Sequence, residues 1–511
     1  MQHFPWWTES QKKLAEEAKQ VVDEILMPIG ERAAWKKEYP WLALKEMAKR
    51  GWFGAQIPAA YGGHAEEWGV TGSAIILEEV ARAGSIARSL ATTMFGGIHQ
   101  IVHDGTDEQR QKWLPKIARG ESVGSITITE PYVGSDAASI KTSGVIDGDS
   151  YIINGKKRFQ TSTGAASIYM TYVKTSNDPE DRRKYRHLTA LVIEKGTPGF
   201  RVEKVNDLMA YDGIYNGYLS FDEARVPVAN RIGEEGDGWN VLTSGLNIER
   251  ILNSAPALGL IRESVRYSLQ HLERRVQFRA PTGDINTNQF KIADMLWRLE
   301  MGRLVTYYAA YLADLGQEIP LEAAVSKMFN TDEGFKVAAE AIQIMGGNGV
   351  TRFYPVERMM RDLKMNQIAA GTSEIMKLLI YRQGLRRYKD DLKAPLRVID
   401  EELGIPIPVG TPPAKKKVTG EDDVLAALAE NYRVNPGLYM TMDDLKEVLD
   451  IADADLEKYL LSLEEKDMAS TYHDRRGNLA LARISLKGID QAHEPDYYRY
   501  IPDWINKDDL F

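Results

Sequence analysis

Four stretches of this sequence carry residue types that could do chemistry. The first is Thr127-Ile128-Thr129-Glu130-Pro131-Tyr132-Val133-Gly134-Ser135-Asp136. Its alternating start predicts a strand that ends in a Pro/Gly turn. Backbone amides and hydroxyls there are free to hold a polar cofactor, although a plain surface turn has the same composition. The second is Gln343-Ile344-Met345-Gly346-Gly347-Asn348-Gly349, followed by Arg358, Arg361 and Asp362; by residue type it is a helix break. The third is Leu246-Asn247-Ile248-Glu249-Arg250 in a helical segment. By type alone Glu249 is either a proton acceptor or a surface ion-pair partner of a cation such as Arg250. The fourth is Arg88, within Gly84-Ser85-Ile86-Ala87-Arg88-Ser89. Its guanidinium is suited to gripping a carboxylate, or it is a solvated arginine at a helix start.

These stretches must be positioned by segments of differing period. Residues 1–122 read as a helical domain: apolar spacing predicts helices over Thr8–Met27, with Thr8 as N-cap, and over Trp41–Lys49, Gly72–Ala83 and Asp107–Ala118. Residues 123–236 alternate and carry frequent turn signals, which predicts a β-domain. Residues 237–388 return to long helical periods (Leu242–Gln277, Asn288–Gly316, Leu321–Met345 and Val356–Tyr388), as in a four-helix bundle. Residues 389–419 read as a linker, with Pro406, Pro408, Pro412-Pro413 and a three-lysine run. Residues 420–511 form a separate unit, with helices expected over Asp422–Asn431, Asp443–Ile451 and Asp455–Lys466 before a hairpin around Asp474-Arg475-Arg476-Gly477-Asn478. That order resembles a winged helix. The fold class is α+β and multidomain.

The 511 residues exceed what one core usually organises. There is no cysteine, which excludes disulfides and thiolate metal sites, and the eight histidines show no metal-ligand spacing. Mean hydropathy is −0.36, no apolar run is long enough to span a bilayer, and no secretory signal is visible; a cytoplasmic protein is expected. The net charge of −9 is uneven: from Glu421 onward 21 acidic residues face 10 basic ones.

In combination, the motifs resemble the acyl-CoA dehydrogenase family. Thr129-Glu130-Pro131 through Asp136 resembles its T-E-P-x-x-G-S-D signature, and Gln343 to Gly349 its Q-x-x-G-G-x-G signature. Further likenesses are Gly105-Thr106-Asp107-Glu108-Gln109, Gly196-Thr197-Pro198-Gly199-Phe200, Val226-Pro227 and Arg275-Val276-Gln277-Phe278. The likeness runs from about Gln11 to Tyr388. Three positions depart from the pattern: Phe353 replaces an acid, Arg279 a glycine, and Phe159-Gln160-Thr161 fits the flavin-lining W-I-T only partly.

The resemblance implies FAD, with Ile128, Thr129, Ser135, Phe159, Thr161, Arg275, Gln277, Phe278, Gln289, Gln343, Gly346, Gly347, Thr372 and Glu374 as cofactor contacts. Arg275 and the glycines would approach the FAD of a neighbouring subunit, where bare backbone comes close to a pyrophosphate. Ser135, Arg250, Asn247 and Arg88 would face substrate, although Asn247 replaces the usual aspartate. In many members the catalytic glutamate immediately precedes G-T; here that position is Ala370, before Gly371-Thr372. A second base position, in isovaleryl- and long-chain-type members, has the pattern L-x-x-E-R, which matches Leu246 to Arg250. The implied base is Glu249, with the Ala370 amide kept as hydrogen-bond donor to the thioester oxygen. Glutaryl-CoA dehydrogenases have R-S near the position of Arg88-Ser89, where the arginine binds a distal carboxylate.

The implied activity is α,β-dehydrogenation of an acyl-CoA by a homotetramer that passes electrons to an electron-transfer flavoprotein. Two alternatives keep the fold: a DNA-binding protective flavoprotein, and a decarboxylating or desulfinating relative. The acidity of the last unit argues against nucleic acid as a partner, since a DNA reader needs a basic face.

Overall fold

A computed structural model describes residues 3–392, 397–399, 406–408, 415–434, 437–474 and 476–492. The chain separates into two units, Met1–Tyr388 and Lys389–Phe511. Among the described residues no helix is long and apolar enough to cross a membrane.

The first unit opens with a capping box. The Thr8 hydroxyl accepts the Gln11 N–H, and the Gln11 side chain accepts the Thr8 N–H, so α1 (Glu9–Val21) starts where the sequence predicts. It does not stop at Met27. A π-helical turn, Val22–Leu26, carries it into α2 (Met27–Lys36). Pro28, which has no N–H to continue the α ladder, is the second residue after that turn. Then come α3 (Trp41–Ala48), α4 (Gly69–Ala81), α5 (Ile86–Thr93), α6 (His99–Asp104) and α7 (Asp107–Ala118), the last capped by Thr106 and Gln109.

Eight strands follow: β1 (Gly124–Thr127), β2 (Ser143–Asp147), β3 (Ser150–Thr161), β4 (Ile168–Lys174), β5 (Leu188–Glu194), β6 (Phe200–Val205), β7 (Asn216–Pro227) and β8 (Arg231–Ile232). They form one sheet in the order β6-β7-β3-β2-β4-β5-β8, and β1 pairs in parallel with β4. The adjacent strands β4 and β5 are buried on both faces, which is why they read as near-continuous apolar runs.

The helical segment contains α8 (Gly238–Arg274), α9 (Asn286–Asp314), α10 (Pro320–Met345), α11 (Val356–Ile368) and α12 (Ser373–Tyr388). The single helix expected over Val356–Tyr388 is thus two. Ala370 and Gly371 are both left-handed, with φ of 56° and 92°, and no right-handed helix passes two such residues.

One apolar core joins α1 and α4 to α8, α9 and α11, through Leu14, Ile75, Leu258, Leu299 and Leu363. A second joins one face of the sheet to α6, α7 and the start of α8, through Ile101, Leu114, Met170, Val192 and Leu242. The α8 helix is therefore the element shared by all layers of this unit.

The second unit contains α13 (Glu421–Val434), β9 (Met440–Thr441), α14 (Met442–Val448), α15 (Asp453–Glu465), β10 (Ala469–His473), β11 (Leu479–Ile484) and α16 (Leu486–Ala492). Its sheet order is β9-β11-β10, around a core that includes Leu425, Leu445, Leu460 and Ile484. Helix, strand, two helices and a hairpin is the winged-helix order. The short β9 and the closing α16 carry too few residues for a periodic signal. Arg475, much of the linker and the aromatic stretch Tyr497–Trp504 lie outside the described residues.

Candidate active site

From Glu249 to Ile261 every residue of α8 is buried, so no amphipathic stripe marks this stretch. Glu249 itself is 6% exposed. Burial pushes its carboxyl up to about 7, against the downward pull of Arg88, Arg250 and Lys327. The surface ion pair is excluded. Arg250 turns away and donates to Asn247 Oδ1 at 2.7 Å, while its buried Nε has no hydrogen-bond partner among the described residues.

The turn between α11 and α12 carries Ala370. Left-handed geometry at Ala370 and Gly371 releases the Ala370 N–H from the helical ladder, and among the described residues it donates to no other group. The turn is held from outside. Lys327, fully buried on α10, donates to Gln367 O at 3.0 Å and Gly371 O at 2.7 Å. The Thr372 hydroxyl then accepts the Ile375 N–H and starts α12.

A narrow cavity lies one turn further along α8. Arg88 on α5, Asn253 and Pro256 on α8, Tyr211, and Asp362 and Asn366 on α11 line it. Arg88 Nη1 donates to Asn253 Oδ1 at 2.6 Å, and the guanidinium lies 5.6 Å from the centre of the Tyr211 ring. The arginine is half-buried. The Tyr211 hydroxyl donates to Asn366 Oδ1, whose Nδ2 is buried and bonded to nothing among the described residues. Asp362 accepts the Tyr211 N–H at 2.6 Å; burial pushes its carboxyl up to about 6.

On the sheet, the end of β1 meets a bulge in β3. Register with β7 shifts between Arg158 and Gln160, leaving Phe159 at φ 66° and 47% exposed. A bulge re-aims one side chain, and here it turns an aromatic ring outward. The Phe159 carbonyl accepts from Asn216 Nδ2 at 2.7 Å, and the Arg158 N–H donates to Thr129 O at 2.9 Å. Thr161 is buried, its carbonyl accepting from Ser125 Oγ at 2.8 Å. Ile128, Thr129, Phe159 and Thr161 are thereby brought together. Beneath them the fully buried Lys157 donates to Ile128 O and to Glu130 Oε1, each at 3.0 Å. Glu130 also accepts the Lys141 and Thr142 amides; burial raises its carboxyl, but Lys157 and these donors outweigh that and hold it below the ordinary range. Ser135 is exposed in the turn beyond.

Residues 8–121, 125–224 and 236–385 match the family models described as the N-terminal, middle and C-terminal domains of acyl-CoA dehydrogenase. The chain belongs to the acyl-CoA dehydrogenase family. An acyl-CoA dehydrogenase of Bacillus subtilis is 35% identical over 375 residues, spanning 73% of this chain and 97% of the relative. The structure of butyryl-CoA dehydrogenase from Megasphaera elsdenii superimposes with a TM-score of 0.72 at 31% identity, covering 76% of this chain and all of that one. A chain from a structure described as the electron transferring flavoprotein of Acidaminococcus fermentans gives 0.72 at 32% identity, covering 75% and 100%.

An acyl-CoA dehydrogenase is an FAD-dependent oxidoreductase acting on acyl-CoA, and the residues present fit that cofactor. Phe159 offers a half-exposed aromatic wall beside the Ile128–Thr129 strand end. A Cβ added at Gly346 or Gly347 would meet nothing within 4 Å, so open space faces this backbone. Arg275, Gln277, Phe278, Gln289, Gln343 and Glu374 are exposed, Phe278 at 93% on a two-residue hairpin between α8 and α9. Lys327, Asn253, Asn366 and Lys157 escaped sequence reasoning. A lysine within Ala323-Ala324-Val325-Ser326-Lys327-Met328-Phe329 was the one available signal, a cation in an otherwise apolar run.

Proposed function

We propose that this acyl-CoA dehydrogenase converts an acyl-CoA thioester to the 2-enoyl-CoA, with Glu249 taking the α-proton. The observation that carries this is a buried carboxylate on α8 together with an alanine at the commoner base position. Bound FAD supplies the acceptor for the β-hydride. Burial gives Glu249 the basicity the task needs, since a general base works best with a pKa near the working pH. The free Ala370 amide donates to the thioester oxygen and stabilises charge that develops there. Ile128, Thr129, Phe159 and Thr161 line the flavin, and Ser135, Asn247 and the unpartnered Arg250 Nε face the CoA side. Arg275, Gln277, Phe278, Gln289, Gln343, Gly346 and Gly347 serve the cofactor of a neighbouring subunit in a homotetramer; their exposure on a single chain supports this reading. Thr372 and Glu374 complete the FAD contacts. Electrons leave to an electron-transfer flavoprotein, a reading supported by the likeness to the Acidaminococcus fermentans structure.

A second reading concerns the acyl group. Arg88 and the unpartnered Asn366 Nδ2 present two donors in one cavity. They favour an acyl chain with a distal carboxylate.

The test is anaerobic bleaching of the flavin by a panel of saturated acyl-CoAs that includes straight, branched, cyclic and dicarboxylic chains. Glu249→Gln should keep FAD and bind acyl-CoA yet leave the flavin oxidised. Bleaching by that variant at the wild-type rate would place the base elsewhere.

A further inference from the structure

Lys327 is a cation held in the interior by neutral oxygens. It is 0% exposed, and its two hydrogen bonds go to the Gln367 and Gly371 carbonyls. No carboxylate pairs with it among the described residues; Asp332 and Glu374 act on it only through space. A buried ammonium without a salt bridge is costly, and such groups persist where the surrounding structure needs them.

The two carbonyls it grips lie on either side of Ala370. Gln367 belongs to the last turn of α11, where helix carbonyls lose their partners, and Gly371 begins the exit from the turn. Between them sits a non-glycine residue at φ 56°, a conformation that costs an L-residue about 1–2 kcal/mol and is retained only under outside constraint. Lys327 supplies that constraint with one side chain. Its charge also reaches Glu249, whose carboxyl it pulls downward. Arg250, the neighbouring cation on α8, donates instead to Asn247.

We infer that Lys327 is a positioning residue for the reaction: it clamps the α11–α12 turn so that the Ala370 N–H meets the thioester oxygen, and its charge faces the enolate side of the site. This rests on the proposed role of the Ala370 amide. The role predicts a graded response. A neutral apolar side chain loses both the clamp and the charge, a glutamine keeps N–H donors without charge, and an arginine keeps charge with altered reach.

The experiment reads the thioester carbonyl directly. Difference infrared spectra are recorded with the 2-enoyl-CoA product of a panel substrate that bleaches the flavin, labelled with carbon-13 at the thioester carbonyl. In wild type and in Glu249→Gln the stretch should fall on binding. In Lys327→Met most of that fall should vanish, with flavin reduction slowed by about 100-fold, the scale of losing one such donor. Lys327→Gln and Lys327→Arg should lie between. A wild type with no fall overturns the role of the Ala370 amide. A normal fall in wild type that Lys327→Met or Lys327→Gln retains in full overturns the inference alone. Failure of all three variants to retain FAD overturns it as well, since the lysine would then serve folding and not the turn.

Discussion

Arg88 and Asn253 meet through a 2.6 Å hydrogen bond one helical turn beyond Glu249, and Asn253 Nδ2 lies 3.3 Å from the Glu249 carbonyl. The residue proposed to sense the end of the acyl chain is thus tied to the helix that carries the base. Arg88→Ala should therefore lower kcat/KM for a dicarboxylic acyl-CoA by about 100-fold, within the 1.5–3 kcal/mol range of a charged hydrogen bond. Unsubstituted chains of the same length should change far less. Steady-state kinetics on both substrates check this, and an unchanged preference removes the distal carboxylate.

The pH profile follows from Glu249. The base must be ionised, so kcat/KM should rise with pH and level off above about 7, falling about tenfold per unit on the acid side. Stability should move the other way. The folded state holds this proton up to about 7 and the unfolded chain only to 4.5, so stability contributed by the neutral acid is lost as pH rises through that window. Glu249→Gln should thus match wild type near pH 4.5 and gain up to roughly 3 kcal/mol at pH 8, visible as a higher Tm. A variant less stable than wild type at pH 8 contradicts this.

Lys157 and Glu130 form a buried pair beneath the proposed flavin wall. Removing the lysine alone leaves a buried carboxylate short of a partner and orphans the Ile128 carbonyl. Lys157→Met should cost about 3–5 kcal/mol and strip FAD from the protein, read by thermal melts and by flavin absorbance.

Phe159→Ala tests the bulge itself. Loss of an aromatic wall of this kind should raise the FAD dissociation constant by roughly tenfold while the melt of the apoprotein stays nearly unchanged, because the ring is half in solvent. Flavin fluorescence titration measures the first quantity.

Deletion from Gly420 onward should leave flavin content and Glu249-dependent bleaching intact. The full chain should also give no gel shift with duplex DNA at low salt, since its last unit carries 21 acidic against 10 basic residues. Tight, salt-sensitive binding would revive the DNA-binding alternative.

Much of this was legible in the sequence because the informative residues sit in motifs. Glu249 stood out through the absence of a carboxylate at 370, and Thr8 marked the start of its helix as an N-cap. What was hidden is non-local. The α11–α12 break is invisible to periodicity, since apolar residues keep helical spacing on both sides and only backbone angles change at Ala370. Phe159 owes its orientation to Asn216, 57 residues away. The apolar run around Lys327 hints at burial, but its partners, the Gln367 and Gly371 carbonyls, are 40 and 44 residues away.

With the base proposed on α8, position 370 is released from acid–base work. Under that proposal a side chain there changes only the room left beside the turn. The left-handed backbone keeps the choice small, because glycine and asparagine tolerate it while branched residues do not. Substrate breadth in this enzyme can therefore drift, or be engineered, through one small residue while the reaction chemistry stays where it is.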